Sequence, residues 1–380
     1  MSVKKFQIQI SDQVVDDLKS RLGNSRWPNE IIDSGWERGT NKDYLKSLVS
    51  YWQHNYDWRA QENDLNQYPQ FTCMVDDIDI HFVHVRGKGP NPIPVILTHG
   101  WPDSFIRYKK IIPLLTDPAS FGGDPNDSFD VIIPSLPGFG FSSAPESSGY
   151  NNSKIADLWA KLMTEKLGYA KFAAAGGDVG SGVTRYLASN YHELLIGIHL
   201  TDVGELLIAS NETNLSPEEL EYKTAAWQWV GLEGGYVAIQ STKPQTLGYG
   251  LSDSPVGLAA WIIEKFRSWS GDNGNFEEKF SMDELLTNIM IYWVTNTIGS
   301  STQLYYENSH GLPPMNQIKV PIAVALFPQD ILVPEKSWVE RYLNISRWSV
   351  MARGGHFTAM EEPKLFADDI SVFFKTLRAS

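Results

Sequence analysis

The chain has 380 residues, of which 42% are hydrophobic and 20% charged, and its formal net charge is -13. That length and apolar content suit one large catalytic unit carrying an insertion or a small companion, while the acidic surplus argues against nucleic acid or an anionic membrane as a partner. A single cysteine, Cys73, excludes an intrachain disulfide framework or a cysteine-built metal site, and without an apolar run long enough to span a bilayer or act as a signal segment the chain is expected to be soluble, cytoplasmic and free of a membrane anchor.

Ser11 opens the first expected helix, in which Val14, Val15, Leu18 and Leu22 form an apolar stripe that stops before Gly23. Trp27, Trp36, Trp52 and Trp58 follow among helical and loop signals, giving a helical N-terminal extension over residues 1–68. Strand character begins at Gln70–Val75 and resumes at Ile78–Val85, with Asp76-Asp77 between them as a hairpin turn. Pro94–Thr98, Phe129–Pro134, Phe172–Ala175 and Leu195–Leu200 are short apolar runs separated by helical or loop segments, and Pro321–Leu326 and Arg347–Met351 resume the series. Such alternation predicts an α/β fold with a mostly parallel central sheet covered on both faces. The stretch between Leu200 and Pro321 has helical periodicity at Val256–Phe266 and Leu285–Trp293 and is too long for a strand connection, so it reads as an inserted helical lid. The expected division is 1–68 extension, 69–204 first part of the core, 205–312 lid and 313–380 second part of the core. Asn151, Asn211 and Asn344 begin glycosylation-like triplets, which a chain rich in Asn, Ser and Thr produces by chance.

Gly176-Gly177-Asp178-Val179-Gly180-Ser181 lies between an expected strand and an expected helix, the context in which a G-x-S-x-G turn presents a nucleophile, but here the central residue is an aspartate. With a reference pKa of about 3.9, an aspartate needs no base to ionise it at neutral pH. A carboxylate attacks amides and ordinary esters poorly, yet it can displace at a strained or activated sp3 carbon, as in an epoxide or an alkyl halide. Glycine and aspartate also dominate ordinary turns, so the hexapeptide needs partners elsewhere in the chain.

Such a nucleophile calls for an acid after a later strand and a histidine nearer the C-terminus, in that chain order. Asp330 in Phe327-Pro328-Gln329-Asp330 and His356 in Gly354-Gly355-His356-Phe357 each follow an expected strand. Each alone is commonplace; together with Asp178, at successive strand ends in the required order, they are not. His99-Gly100-Trp101-Pro102 follows the Val95–Leu97 run, where this fold completes its oxyanion hole, so the backbone N–H groups of Trp101 and Val179 are the expected donors. His99, Pro102 and, within Ser135–Ser142, Phe139 are expected to wall the substrate pocket.

These motifs resemble the α/β-hydrolase-fold epoxide hydrolases of the microsomal and juvenile-hormone type, over nearly the whole chain. The stretch from Phe6-Gln7-Ile8 through Ser25-Arg26-Trp27-Pro28 is similar to that family's N-terminal extension, and Gly235–Pro244 and Asp253–Trp261 resemble its lid. The resemblance implies two lid tyrosines over the nucleophile, matching Tyr236 and Tyr306, with the neighbouring Tyr305 as the other choice for the second. Ring opening has its own need for them, because it develops an alkoxide that a neutral phenol, of pKa about 10, can meet with a proton. Membrane attachment is not carried over, since no anchor precedes the extension.

The expected reaction is hydrolysis of a small apolar epoxide to a vicinal diol, through an alkyl ester on Asp178 that water activated by His356, itself oriented by Asp330, then hydrolyses. No metal or organic cofactor is expected, because no dinucleotide or phosphate loop has the required context. A haloalkane dehalogenase would share the aspartate nucleophile, but Val179 stands where such enzymes usually carry a tryptophan. A noncatalytic ligand-binding protein on the same scaffold would be expected to lack a triad member, and a serine esterase is disfavoured because Ser181 lies beyond the nucleophile position. The extension either clamps the lid or makes a homodimer contact.

Overall fold

The computed structural model describes residues 2–208, 212–271 and 276–378. Nine strands form one sheet: β1 (Lys4–Phe6), β2 (Gln70–Val75), β3 (Ile78–Val85), β4 (Ile93–Thr98), β5 (Phe129–Pro134), β6 (Phe172–Gly176), β7 (Leu195–Leu200), β8 (Ile322–Leu326) and β9 (Ile345–Val350). Their order across the sheet is β1-β2-β3-β5-β4-β6-β7-β8-β9. The pairs from β1 through β3 to β5 are antiparallel, and every pair from β5 to β9 is parallel. β5, β6 and β8 are buried at every residue, as parallel strands covered on both faces must be, which is why they read as continuous apolar runs. In the β2–β3 hairpin Val75 pairs with Ile78, and Asp76 takes a φ of 52° in the turn. Cys73 on β2 is buried, and burial pushes its thiol up to about 11.

The extension is not purely helical. Besides the helices Asp12–Gly23, Lys42–His54 and Trp58–Leu65, it contributes β1, whose pairing with β2 covers what would otherwise be an open sheet edge. The chain after β1 is held by side chains of the third helix, with the Ile8 amide donating to Asn66 Oδ1 at 2.9 Å and the Ile10 amide to Glu62 Oε1 at 2.7 Å. Ser11 occupies the cap position without a side-chain hydrogen bond, whereas Asn41 and Asp57 do cap the next two helices. The extension also grips the lid: Thr40 donates to the Ala260 carbonyl at 2.6 Å, Tyr51 to Asp283 at 3.0 Å, and Tyr56 meets Thr287 at 3.0 Å.

Between β7 and β8 the described chain is helical, chiefly in Pro217–Glu233, Gly235–Thr242, Pro255–Trp269, Met282–Thr295 and Ile298–Gly311. Ser216 with Glu219, and Ser281 with Glu284, form reciprocal capping boxes that start two of these helices. Among the described residues no helix is long and apolar enough to cross a membrane. Asn151 caps a core helix and donates to the Gly311 carbonyl at 2.8 Å, leaving no room for a glycan; Asn211 lies outside the described residues.

Candidate active site

Asp178 stands between β6 and the helix Val179–Asn190, with φ 55° and ψ -132°, a backbone conformation that costs a non-glycine residue free energy and turns its side chain out of the sheet. The glycines around it make this turn possible. A Cβ on Gly180 would stand 1.9 Å from the Thr98 carbonyl oxygen, and one on Gly176 would stand 2.2 Å from that of Gly180. On the side of β4, the Trp101 amide donates to Asp178 Oδ1 at 2.8 Å. Val179 opens the helix, where the first amides lack intrahelical acceptors and the helix dipole favours negative charge.

The loops after β8 and β9 bring the two other expected residues to the same place. His356 Nδ1 donates to Asp330 Oδ1 at 2.8 Å, and Nε2 lies 3.3 Å from Asp178 Oδ2. Burial disfavours a charge on the imidazole, but Asp330 and Asp178 outweigh it and hold its pKa well above the ordinary value. The histidine loop is fixed from both sides. Its His356 amide donates to the Trp269 carbonyl of the lid at 2.9 Å, and the buried Glu361 accepts from the amides of Gly271, Gly355 and Phe357 at 2.8–3.0 Å.

Two residues that the sequence reading passed over hold the loop after β4. Asp103 accepts from the Gly100 amide at 2.8 Å and pairs with Arg107, and both side chains are fully buried. Burial pushes the Asp103 carboxyl up, but Arg107 outweighs it and brings it down to about 2. From the lid, Asn288 donates to the Pro102 carbonyl at 2.7 Å and Tyr292 to that of Asp103 at 2.6 Å. The signal was an Asp and an Arg spaced i, i+4 amid Phe105, Ile106 and Tyr108, where a solvated face would not be so apolar.

Three expected pocket residues take other places. His99 and Phe139 are 0% exposed and so present no surface to a substrate, and Pro102 is buried beside them. The His99 Nδ1–H donates to the Gly100 carbonyl at 2.9 Å and its Nε2 accepts from the Leu136 amide at 3.2 Å, while Phe139 packs edge-on against its ring. They brace the loops from behind.

Tyr236 lies flat on Trp101, with ring centres 5.5 Å apart and an interplanar angle of 8°. Its helical neighbour across the lid is Tyr305, edge-on to both Trp101 at 5.8 Å and Tyr236 at 5.9 Å. Burial pushes both phenols well above their ordinary pKa, followed by the charge of Asp178 for Tyr236 and by Tyr236 and then Asp178 for Tyr305, so both stay neutral. Tyr306 does not reach the site: it is 36% exposed and stacks on His310 at 4.0 Å, because consecutive helical residues point about 100° apart. A cleft of about 730 Å³ between extension and lid reaches Tyr236 from outside, and Trp27, Trp36 and Trp261 line it together with the charged Arg38, Glu264 and Lys265.

Asp202, just past β7, joins the cluster without a sequence signal beyond its position at a strand end. It has a φ of 56°, and one carboxylate oxygen of it, one of Asp178 and a ring nitrogen of His356 all lie within 4.8 Å of one another. By ligand type these three atoms could hold a divalent cation.

Loops from the C-terminal ends of β4, β6, β7, β8 and β9 thus converge on one carboxylate, which defines an α/β hydrolase with aspartate at its elbow. Comparison with known proteins narrows the class. Residues 3–108 match the family model described as epoxide hydrolase N terminus, and residues 93–363 that of the alpha/beta hydrolase fold. Epoxide hydrolase 1 of Sus scrofa is 39% identical over 99% of this chain and 89% of its own length, and juvenile hormone epoxide hydrolase 2 of Ctenocephalides felis 37% identical over 97% and 84%. The crystal structure of juvenile hormone epoxide hydrolase from the silkworm Bombyx mori superposes with a TM-score of 0.87 at 30% identity, covering 100% of this chain and 94% of that one. The chain belongs to the epoxide hydrolase family.

Proposed function

We propose that this epoxide hydrolase works through a covalent ester on Asp178. An Asp178 oxygen attacks one epoxide carbon and the C–O bond of the ring breaks. The released alkoxide takes a proton from one of Tyr236 and Tyr305 and a hydrogen bond from the other. Water then loses a proton to His356 and adds to Cγ of Asp178, the Trp101 and Val179 amides meeting the oxyanion. Collapse expels the second alkoxide, which recovers the proton from His356, and the diol leaves. The acid proton left on Asp178 restores the tyrosine.

The observation that carries this reading is the pair of buried neutral phenols within the field of the Asp178 carboxylate, one of them stacked on Trp101, whose amide holds that carboxylate. Phenol donors answer a charge that develops on oxygen. The raised pKa of His356 supports the order of steps, because ester formation cancels the charge of Asp178, removes part of what favours the imidazolium, and frees the base for the second step. Trp27, Trp36 and Trp261 in the cleft that reaches Tyr236 support an epoxide with an apolar, aryl or lipid-like part, beside charged residues such as Arg38 and Lys265.

The test is a His356→Gln variant incubated with mixed epoxides and haloalkanes, followed by intact mass and peptide mapping. The reading expects an adduct of epoxide mass on the Asp178 peptide. Adducts from haloalkanes alone would transfer the protein to dehalogenation, and a folded variant without any adduct would end the covalent scheme.

A further inference from the structure

We propose that Asp202 is a second holder of the hydrolytic water, accepting one of its hydrogens while His356 takes the other, so that the oxygen lone pair faces Cγ of Asp178. This rests on the ester mechanism above and adds a residue to its second half. One polar atom from each of Asp178, Asp202 and His356 lies within 4.8 Å of the other two, and this is the starting point. A point between three atoms no farther apart than 4.8 Å lies at most about 2.8 Å from each, within reach of a hydrogen bond to water. His356 Nε2 is buried and makes no aligned hydrogen bond, its 3.3 Å approach to Asp178 being an ion pair, so it is aimed into the same gap. A base holding the water alone leaves the molecule free to rotate about one hydrogen bond; a second acceptor fixes the lone pair toward the ester carbon.

The backbone shows that Asp202 is held there. Its left-handed φ of 56° is disfavoured for a residue with a side chain, and the neighbouring Asp178 is held in the same region at 55°. The preceding Thr201 amide donates to the Gly176 carbonyl at 3.1 Å, tying this turn to the elbow strand, and Val203 behind it is 0% exposed. Asp202 itself keeps some exposed surface, as a group that meets water requires. Burial and then the charge of Asp330 push its carboxyl well above the usual range. A carboxyl oxygen of Asp202 can accept a hydrogen of the water whichever way the group is protonated.

The experiment separates the two half-reactions in Asp202→Ala and Asp202→Asn, by rapid quench and intact-mass measurement during a single turnover of an aryl epoxide. In Asp202→Ala the Asp178 ester should form at the wild-type rate and decay on the order of 10²-fold more slowly, so that the ester accumulates. Asparagine retains a carbonyl acceptor of the same shape and should restore decay to within a few-fold of wild type. Wild-type decay in Asp202→Ala, equal slowing of both half-reactions, or no rescue by asparagine would each overturn the assignment. Failure of the underlying mechanism is distinct, since no ester would then appear in the wild-type protein or in His356→Gln.

Discussion

Arg107 donates from Nη2 to the backbone carbonyl of His356 at 2.7 Å, across 249 residues of sequence, while its other guanidinium nitrogen pairs with Asp103. One buried cation therefore joins the loop that carries the Trp101 amide to the loop that carries the base. Its job is geometric, because neither end touches a reacting atom.

Replacing Arg107 with Met should cost about 3–5 kcal/mol of stability, the penalty of leaving a buried carboxylate unpaired. The pH dependence has a definite sign. The Asp103 pKa is depressed in the folded protein, so this contribution is full above the unfolded value of about 3.9 and is lost as pH falls through about 2. Urea unfolding of wild type and variant should show their gap narrowing below pH 4, within the range where both remain folded.

Neutralising the elbow should move the base. In Asp178→Asn one of the two acids that raise the His356 pKa is gone while Asp330 remains, so the value should fall, as it would on esterification. Nitrogen-detected NMR titration of the imidazole measures it. An unchanged pKa would mean that Asp330 alone sets the charge. In the wild type the stability linked to this histidine is full below about 6.5 and is lost as pH rises through the higher folded value.

Tyr305→Phe should slow ester formation by about 10²-fold, as loss of one oxyanion donor does elsewhere, and Tyr306→Phe should leave it within about twofold. Pre-steady-state formation of the ester compares them directly. The reverse ranking would require the exposed ring stacked on His310 to turn inward.

Gly100→Ala places a Cβ 2.3 Å from Asp178 Oδ1 and 2.7 Å from its Cγ. The carboxylate must shift out of its hydrogen bond with Trp101, so ester formation should drop by on the order of 10²-fold. The thermal unfolding midpoint should fall as well, because the added Cβ also stands 2.5 Å from the Asp178 Cβ, which moves only with the elbow backbone.

The positions of Asp178, Asp330 and His356 were legible because each follows a strand, apolar and buried throughout in the first two cases, and glycine spacing marks the turns at Asp178 and His356. Tyr305 was not, since two adjacent aromatic residues on a helix differ only in which one faces a neighbour that sequence does not reveal. Asp103 and Arg107 carry formal charges, which composition alone consigns to the surface, and only the apolar residues around them hinted otherwise. β1 is a three-residue strand with two lysines, too short for alternation to register. Asp202 resembled any acid after a strand until the sheet brought it beside Asp178.

Asn288 and Tyr292 fasten one lid helix to carbonyls of the very loop whose amide meets Asp178. A lid anchored in this way cannot swing open without dragging the anion cradle out of register. Anyone transplanting a foreign lid to change the epoxide accepted must move the loop from Trp101 to Arg107 with it.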